Sequence, residues 1–159
     1  FFALVMIWQT HYNFFRRTDY VDVWVIVLNM LMLFLVLFYV YPLKFLANLA
    51  FGKGSIRSGV EMGELFVLYS LGFGAIFLCL SLLYLYAGRK QGGYVPELNF
   101  WGRHFLIFVA IAMLSVLLAY LGIGLRWGLP GFVYMLLGPA CGAHGWLMGF
   151  KPQEKVVEG

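Results

Sequence analysis

Long apolar runs, broken by short polar stretches, dominate the chain. Three of them approach the roughly 20 residues that an α-helix needs to cross a hydrocarbon core, at 23–41, 65–87 and 105–125. A fourth run, 127–150, contains two prolines, which a membrane helix tolerates where neighbouring helices satisfy the freed carbonyls. The opening run, 1–15, would span only about 22 Å as a helix. The pattern predicts an all-α, polytopic membrane helix bundle with five visible transmembrane helices.

Composition supports a single membrane domain. Of the 159 residues, 63% are apolar and 11% are charged, a mixture far from that of a soluble domain. No repeat and no second domain is evident in the sequence. We therefore expect one transmembrane bundle over residues 1–150 and a solvated, cytoplasmic tail over 151–159.

Basic residues predict the orientation of the bundle. If the five helices alternate across the membrane, one side carries Arg16, Arg17, Arg89, Lys90, Arg103, Lys151 and Lys155, and the other carries Lys44, Lys53, Arg57 and Arg126. The positive-inside rule assigns the larger set to the cytoplasm. The C-terminal tail would then be cytoplasmic and Phe1 would lie outside. A chain that starts outside needs an earlier helix to bring it there, so we expect six helices in the native chain.

Enzymatic and nucleic-acid-binding functions find little support. The sequence has no phosphate-binding loop, no dinucleotide-binding glycine motif and no His-Glu-x-x-His. Acidic residues sit at the ends of predicted spans, where solvation or capping explains them. Cys79 and Cys141 are isolated within predicted spans and are interpreted as small packed side chains. The net charge of +4 follows the loop bias and forms no basic groove with stacking aromatics, so we predict neither catalysis nor a nucleic-acid partner.

Small residues at four-residue spacing indicate close helix packing. Ser70 and Gly74 form one such pair, and Gly138 and Gly142 form another. This spacing lets helix backbones approach closely in lipid. The contact could lie inside one subunit or between the subunits of an oligomer, and the sequence alone leaves both alternatives open.

Polar residues within the first two apolar runs need partners. Trp8 and His11 are three residues apart and so share a face of the first helix. Asn29 lies well inside the next run, where an amide should hydrogen-bond across helices. A purely structural interpretation makes Trp8 an interfacial anchor, His11 an interior hydrogen-bonded histidine and Asn29 a link between helices. The alternative is that these three residues form a functional network.

Residues 1–45 resemble a known channel family. The pattern Trp8-x-x-His11-x-x-x-Phe15, followed by Asp22 and then by Leu28-Asn29 at the start of a long apolar helix, is similar to the second and third helices of the endolysosomal potassium-leak channels, transmembrane protein 175 and its bacterial relatives. Family members have six helices per repeat with both ends in the cytosol. The chain would correspond to helices two to six. The family's signature on the first helix, an Arg followed by Phe-Ser-Asp, is not in this sequence.

The resemblance implies a potassium-permeable channel subunit that needs no cofactor. The pore and its hydrophobic constriction would be contributed by the first helix, braced by Trp8, His11 and Asn29, while Arg16, Arg17 and Asp22 would form a cytoplasmic turn. Bacterial relatives are tetramers, so the resemblance also implies a homo-oligomer in a bacterial inner membrane, with the lipid bilayer and the potassium ion as partners.

A second class of function remains open at this stage. His11, His104 and His144 all fall toward the cytoplasmic face of the predicted bundle. Neutral imidazoles at one depth on three helices could ligate haem or chlorophyll, or contact a quinone. The chain would then be an accessory transmembrane subunit of a respiratory or photosynthetic complex. The competing interpretation is three unrelated histidines.

Overall fold

The computed structural model describes residues 2–18, 20–50, 59–91 and 95–148, and within these ranges every regular element is helical. The α-helices are α1 (Phe2–Arg17), α2 (Val23–Ala50), α3 (Gly59–Lys90), α4 (Pro96–Tyr120), α5 (Leu129–Phe132) and α6 (Leu137–Met148). Short 3₁₀ turns at Leu125–Trp127 and Val133–Leu136 flank α5. The predicted all-α bundle is therefore confirmed.

Three of the described helices are long and apolar enough to cross a membrane, at Val23–Tyr41, Met62–Lys90 and Pro96–Tyr120. They contain the predicted spans 23–41 and 65–87 and most of 105–125. The predicted run 1–15 corresponds to α1, which has 16 residues and is therefore about 24 Å long. The predicted tail, 151–159, lies outside the described residues.

The predicted span 105–125 is shifted in the structure, because α4 runs from Pro96 to Tyr120. Proline fits the first turn of a helix, where its missing N–H needs no partner. At the other end, Gly122 and Gly124 adopt left-handed backbone angles, with φ of 69° and 65°. Glycine adopts this conformation without strain and commonly ends a helix there.

The predicted span 127–150 is not one continuous helix. Gly128, with φ of 67°, separates the first 3₁₀ turn from α5, and a second 3₁₀ turn separates α5 from α6. Each proline lies near the start of a helix, Pro130 in α5 and Pro139 in α6. Prolines are tolerated in a first turn and disrupt a helix interior. The regular α-helix is accordingly interrupted before each of them, by the left-handed Gly128 before α5 and by a 3₁₀ stretch with right-handed backbone angles before α6.

The core of the bundle lies between α3 and its neighbours α2 and α4. Stacked and tilted aromatic rings fill the α3–α4 contact, with ring centroids 4.4 Å apart for Phe77 and Phe108 and 5.3 Å apart for Tyr84 and Phe105. Backbones approach closely where residues are small: a Cβ added at Gly74 would lie 3.2 Å from the Cβ of Ala112. Aromatic packing beside small residues therefore holds α3 against α4.

A buried chain of hydroxyl groups ties three helices together. Ser115 of α4 donates its hydroxyl proton to the carbonyl of Pro130 in α5, at 2.8 Å, and pairs with the Ser70 hydroxyl of α3, also at 2.8 Å. Since Ser115 has a single proton, Ser70 is the donor in the second bond. Both serines are fully buried, and these bonds satisfy polar groups that would otherwise be costly in an apolar interior.

Candidate functional site

A hydrogen bond between His11 and Asn29 joins α1 to α2. The Nε2 atom of His11 lies 2.5 Å from the Oδ1 atom of Asn29, and both side chains are half-buried. An amide oxygen only accepts, so the imidazole donates through Nε2–H. We call this pair the α1–α2 brace. It supplies the cross-helix partner that the sequence predicts for Asn29.

Trp8 lies beside the brace. Its side chain is 62% exposed, and its ring stacks on Tyr12 with centroids 5.9 Å apart. His11 packs edge-on against Phe15, which is also exposed. The aromatic side chains Trp8, Tyr12 and Phe15 therefore form an exposed stripe along α1, at the i, i+4 and i+7 spacing that puts residues on one helix face. The role of Trp8 stays a prediction.

The other side of α1 rests on α3. Phe14 is completely buried, and its ring meets Tyr84 edge-on at 5.1 Å. The Tyr84 hydroxyl donates to the carbonyl of Thr10 at 3.4 Å. These contacts fix α1 against the bundle while leaving its aromatic stripe uncovered within the described chain.

The turn between α1 and α2 is organised by Asp22. Its Oδ1 accepts the backbone N–H of Val25 at 2.9 Å, which caps the start of α2. Its Oδ2 accepts the hydroxyl of Tyr20 at 3.0 Å and that of Tyr86, near the end of α3, at 2.6 Å. The hydrogen bond from Tyr86 holds the pKa of Asp22 below its ordinary value, and the bond to Asp22 raises the pKa of Tyr20.

The two arginines of this turn have different surroundings. Arg17 forms an ion pair with Glu97 of α4 at 2.7 Å, and its guanidinium lies 4.8 Å from the centroid of the Trp101 ring. Arg16 is exposed. Thr18, which follows Arg17, accepts a hydrogen bond from the Gln91 side chain. The end of α1, the end of α3 and the start of α4 therefore meet at one face of the bundle.

We expect Asp22 to make the stability of this turn depend on pH in the acidic range. Its folded pKa lies below the unfolded value of about 3.9, so the ionised carboxylate contributes stability above that value, and this contribution is lost as pH falls through the folded pKa. The unfolding temperature of the detergent-solubilised protein should fall as the pH is lowered below about 5, and Asp22→Asn should remove part of that fall. Glu64→Gln, at an exposed carboxylate, is the matched control. If the unfolding temperature of Asp22→Asn falls with pH as steeply as that of the wild type, this role is contradicted.

The three histidines do not form one set. His11 bonds Asn29, whereas His104 of α4 and His144 of α6 face each other with their Nδ1 atoms 3.3 Å apart. Two nitrogens at that separation leave no space for a porphyrin between them. Among the described residues, no group of three or more His, Cys, Asp or Glu side chains could hold a metal ion.

The two predicted small-residue pairs have different surroundings. Ser70 and Gly74 lie in the α3–α4 contact described above. In α6, a Cβ added at Gly138 or Gly142 would meet no atom of the described chain within 4 Å. Whether the α6 glycines pack against another subunit stays a prediction.

Sequence reasoning missed several partners at this site. Tyr86 bonds Asp22 across 64 residues, and Gln91 bonds Thr18 across 73 residues. Neither tyrosine nor glutamine near a helix end is unusual, so no sequence signal singles them out. The acid Glu97 could have been paired with Arg17 only by knowing that the two helix ends meet.

Comparisons with known proteins agree with this architecture. No protein-family model matches the chain. A curated protein named potassium channel, from Marivirga tractuosa, is 37% identical over 161 residues; the alignment covers 86% of this chain and 64% of that protein. A crystal structure of a variant of the potassium channel MtTMEM175, in complex with a nanobody–MBP fusion protein, matches with a TM-score of 0.72 and 30% identity. The structural match covers 92% of this chain and 73% of the MtTMEM175 chain.

The described helices, together with these matches, define a multi-pass membrane protein built as a helical bundle. The chain belongs to the TMEM175-like family, as the resemblance of its first 45 residues predicts. It spans less than two thirds of the curated relative that it matches.

Proposed function

We propose that this chain is the subunit of a potassium-permeable membrane channel. Both matched relatives carry the name potassium channel. The observation that carries the proposal is the α1–α2 brace: a polar bond of 2.5 Å between two helices, at two of the three residues to which the resemblance gives the bracing role. A polar bond within apolar helices fixes their relative position, because its groups have no comparable partner in lipid.

The pore in this proposal is lined by a further helix that precedes Phe1 and carries a hydrophobic constriction. Its docking surface would be the exposed aromatic stripe of α1, with Trp8 at its start, next to the brace. Large apolar side chains are also exposed along α2, including Trp24, Phe34 and Leu37. Contiguous apolar surface of this kind suits lipid or another helix, and the brace would set the angle at which that helix is held.

We further propose a homo-oligomer, a tetramer as in the bacterial relatives that the chain resembles. Four lining helices around one axis would form rings of apolar side chains, which gate by size and by dewetting. Such a pore needs no cofactor and no catalytic group. At Gly138 and Gly142 no atom of the described residues lies within 4 Å of an added Cβ. In this proposal a helix of a neighbouring subunit packs closely against α6 there.

The proposed location is a bacterial inner membrane with a cytoplasmic C-terminus. The support is the gathering of basic residues at one face of the bundle. Arg17 pairs with the start of α4, Asp22 bonds the end of α3 close to Arg89 and Lys90, and Arg103 follows in the second turn of α4. Under the positive-inside rule this face is cytoplasmic.

The test is potassium efflux from liposomes that contain the full-length gene product, with protein-free liposomes as the control. We expect efflux that increases with the amount of protein, from particles whose mass in detergent is a multiple of the chain mass. Efflux no faster than in protein-free liposomes would contradict the proposal.

A further inference from the structure

A cavity of about 860 Å³ lies between the start of α3 and the end of α4. It is at the opposite end of α4 from the ion pair of Arg17 with Glu97, and neither residue of the α1–α2 brace lines it. Ligand pockets in proteins typically enclose about 300–1,000 Å³. The cavity is therefore large enough for a small organic molecule.

The turn that follows α4 forms one wall of the cavity. The helix ends at Tyr120, and Gly122 and Gly124 then adopt left-handed backbone angles, which glycine does without strain. This turn brings Leu125 to the start of α3, where a Cβ added at Gly63 would lie 3.3 Å from the Leu125 Cδ1 atom. The cavity is therefore a product of the glycine turn after α4.

The described residues that line the cavity are mainly apolar. The first turns of α3 contribute Val67, Leu68 and Leu71, and the other side contributes Ala119 and Leu125. Apolar walls bind an apolar group because its surface is removed from water. The body of a molecule that occupies this cavity should therefore be apolar.

Glu64 is the one charged side chain among the described residues that line the cavity, and none of these residues is a Lys, Arg or His. Its side chain is exposed and forms no ion pair within the described part of the chain. Tyr120 also lines the cavity, and the face of an aromatic ring attracts a cation. A carboxylate and an aromatic ring without a basic neighbour favour a positively charged group over a negative one.

We propose that this cavity binds a monovalent organic cation with a bulky apolar body, whose charge lies near Glu64 and whose body lies against Val67 and Leu71. A lipid acyl chain would leave the carboxylate without a partner, and an anionic headgroup would be repelled by it. The bound cation would contact both α3 and the turn after α4. The site does not depend on the channel proposal, because its test measures binding and not potassium flux.

The experiment uses the full-length protein in detergent with two probe ions, tetraphenylphosphonium and tetraphenylborate, which have the same shape and opposite charges. Equilibrium dialysis, corrected with protein-free micelles, measures how much of each ion is bound. We expect saturable binding of one tetraphenylphosphonium per chain and no saturable binding of tetraphenylborate. Glu64→Gln should weaken the binding of the cation about fivefold, the upper range for an ion pair in contact with water.

Two tryptophan variants separate the cavity from the rest of α3. Val67→Trp takes up space in the cavity and should weaken binding of the cation about tenfold or more. Leu82→Trp places the same side chain at an exposed position of α3 outside the cavity and should bind as the wild type does. Glu97→Gln removes a carboxylate at the other end of α4 and should also leave binding unchanged.

The proposal is overturned if binding of the cation does not saturate above the micelle blank, if Glu64→Gln binds it as tightly as the wild type, if tetraphenylborate competes equally well, or if the two tryptophan variants behave alike. Should Val67→Trp fail to fold, a photoreactive derivative of tetraphenylphosphonium, crosslinked to the wild type and located by mass spectrometry, decides the matter. Crosslinks within 63–71 or 119–125 support the site, and crosslinks confined to other segments overturn it.

Discussion

Replacing Asn29 with leucine is expected to reduce potassium flux through the reconstituted full-length protein about tenfold while the bundle still inserts and folds. The substitution leaves the Nε2–H group of His11 without its acceptor in a half-buried position. An unpaired buried donor costs about 1–3 kcal/mol, and 1.4 kcal/mol shifts an equilibrium tenfold. We expect that shift to release α1 from the position in which it would support the pore helix.

The matched control is Met30→Leu, one position along α2. Met30 is 65% exposed and receives the same new side chain, so general effects of leucine at this depth appear in both variants. His11→Ala should resemble Asn29→Leu, with weaker assembly or gating and little loss of expression. Unchanged flux together with unchanged oligomer size in both brace variants would contradict the role proposed for this bond.

Gly102→Ala is expected to lower the free energy of unfolding by about 1–3 kcal/mol, the usual cost of overpacking a filled site. A Cβ at this position would lie 2.6 Å from Cγ of Leu85 and 3.3 Å from the Leu85 backbone nitrogen. The carbonyl of Gly102 also accepts the Ser81 hydroxyl at 2.7 Å, so moving α4 away from α3 would lengthen this bond. Denaturant or thermal unfolding in detergent measures the change.

Gly142→Ala, inside α6, is the control for this substitution. A Cβ there would meet no atom of the described residues within 4 Å, and alanine is favoured over glycine in a helix by up to about 1 kcal/mol. The subunit in monomeric form should therefore be as stable as the wild type or more so. Equal losses of stability in the two alanine variants would show that close packing at Gly102 does not hold α3 against α4.

The long helices could be predicted from the sequence because hydropathy alone determines them. The run 23–41 lies wholly inside α2, and 65–87 lies wholly inside α3. Prediction failed where backbone conformation decides the outcome. Hydropathy is high throughout residues 105–150. The left-handed glycines after Tyr120 nevertheless end α4, and short helices that begin near prolines follow.

The candidate site could be predicted only in part, for a similar reason. A buried amide must find a partner, so the need of Asn29 for a bond across helices follows from the sequence. Which residue provides it depends on how α1 packs against α2. The pairing of His104 with His144, 40 residues apart, depends in turn on the turn at 121–128, whose left-handed glycines let the helices that follow pack along α4. Hydropathy carries no information on either arrangement.

The most direct test of the channel proposal is the current across a planar bilayer that contains the full-length protein, recorded with different potassium concentrations on the two sides. We expect a current whose reversal voltage moves toward the potassium equilibrium potential as the gradient is made steeper. No current above that of the protein-free bilayer, or a reversal voltage that does not change with the potassium gradient, would contradict the account.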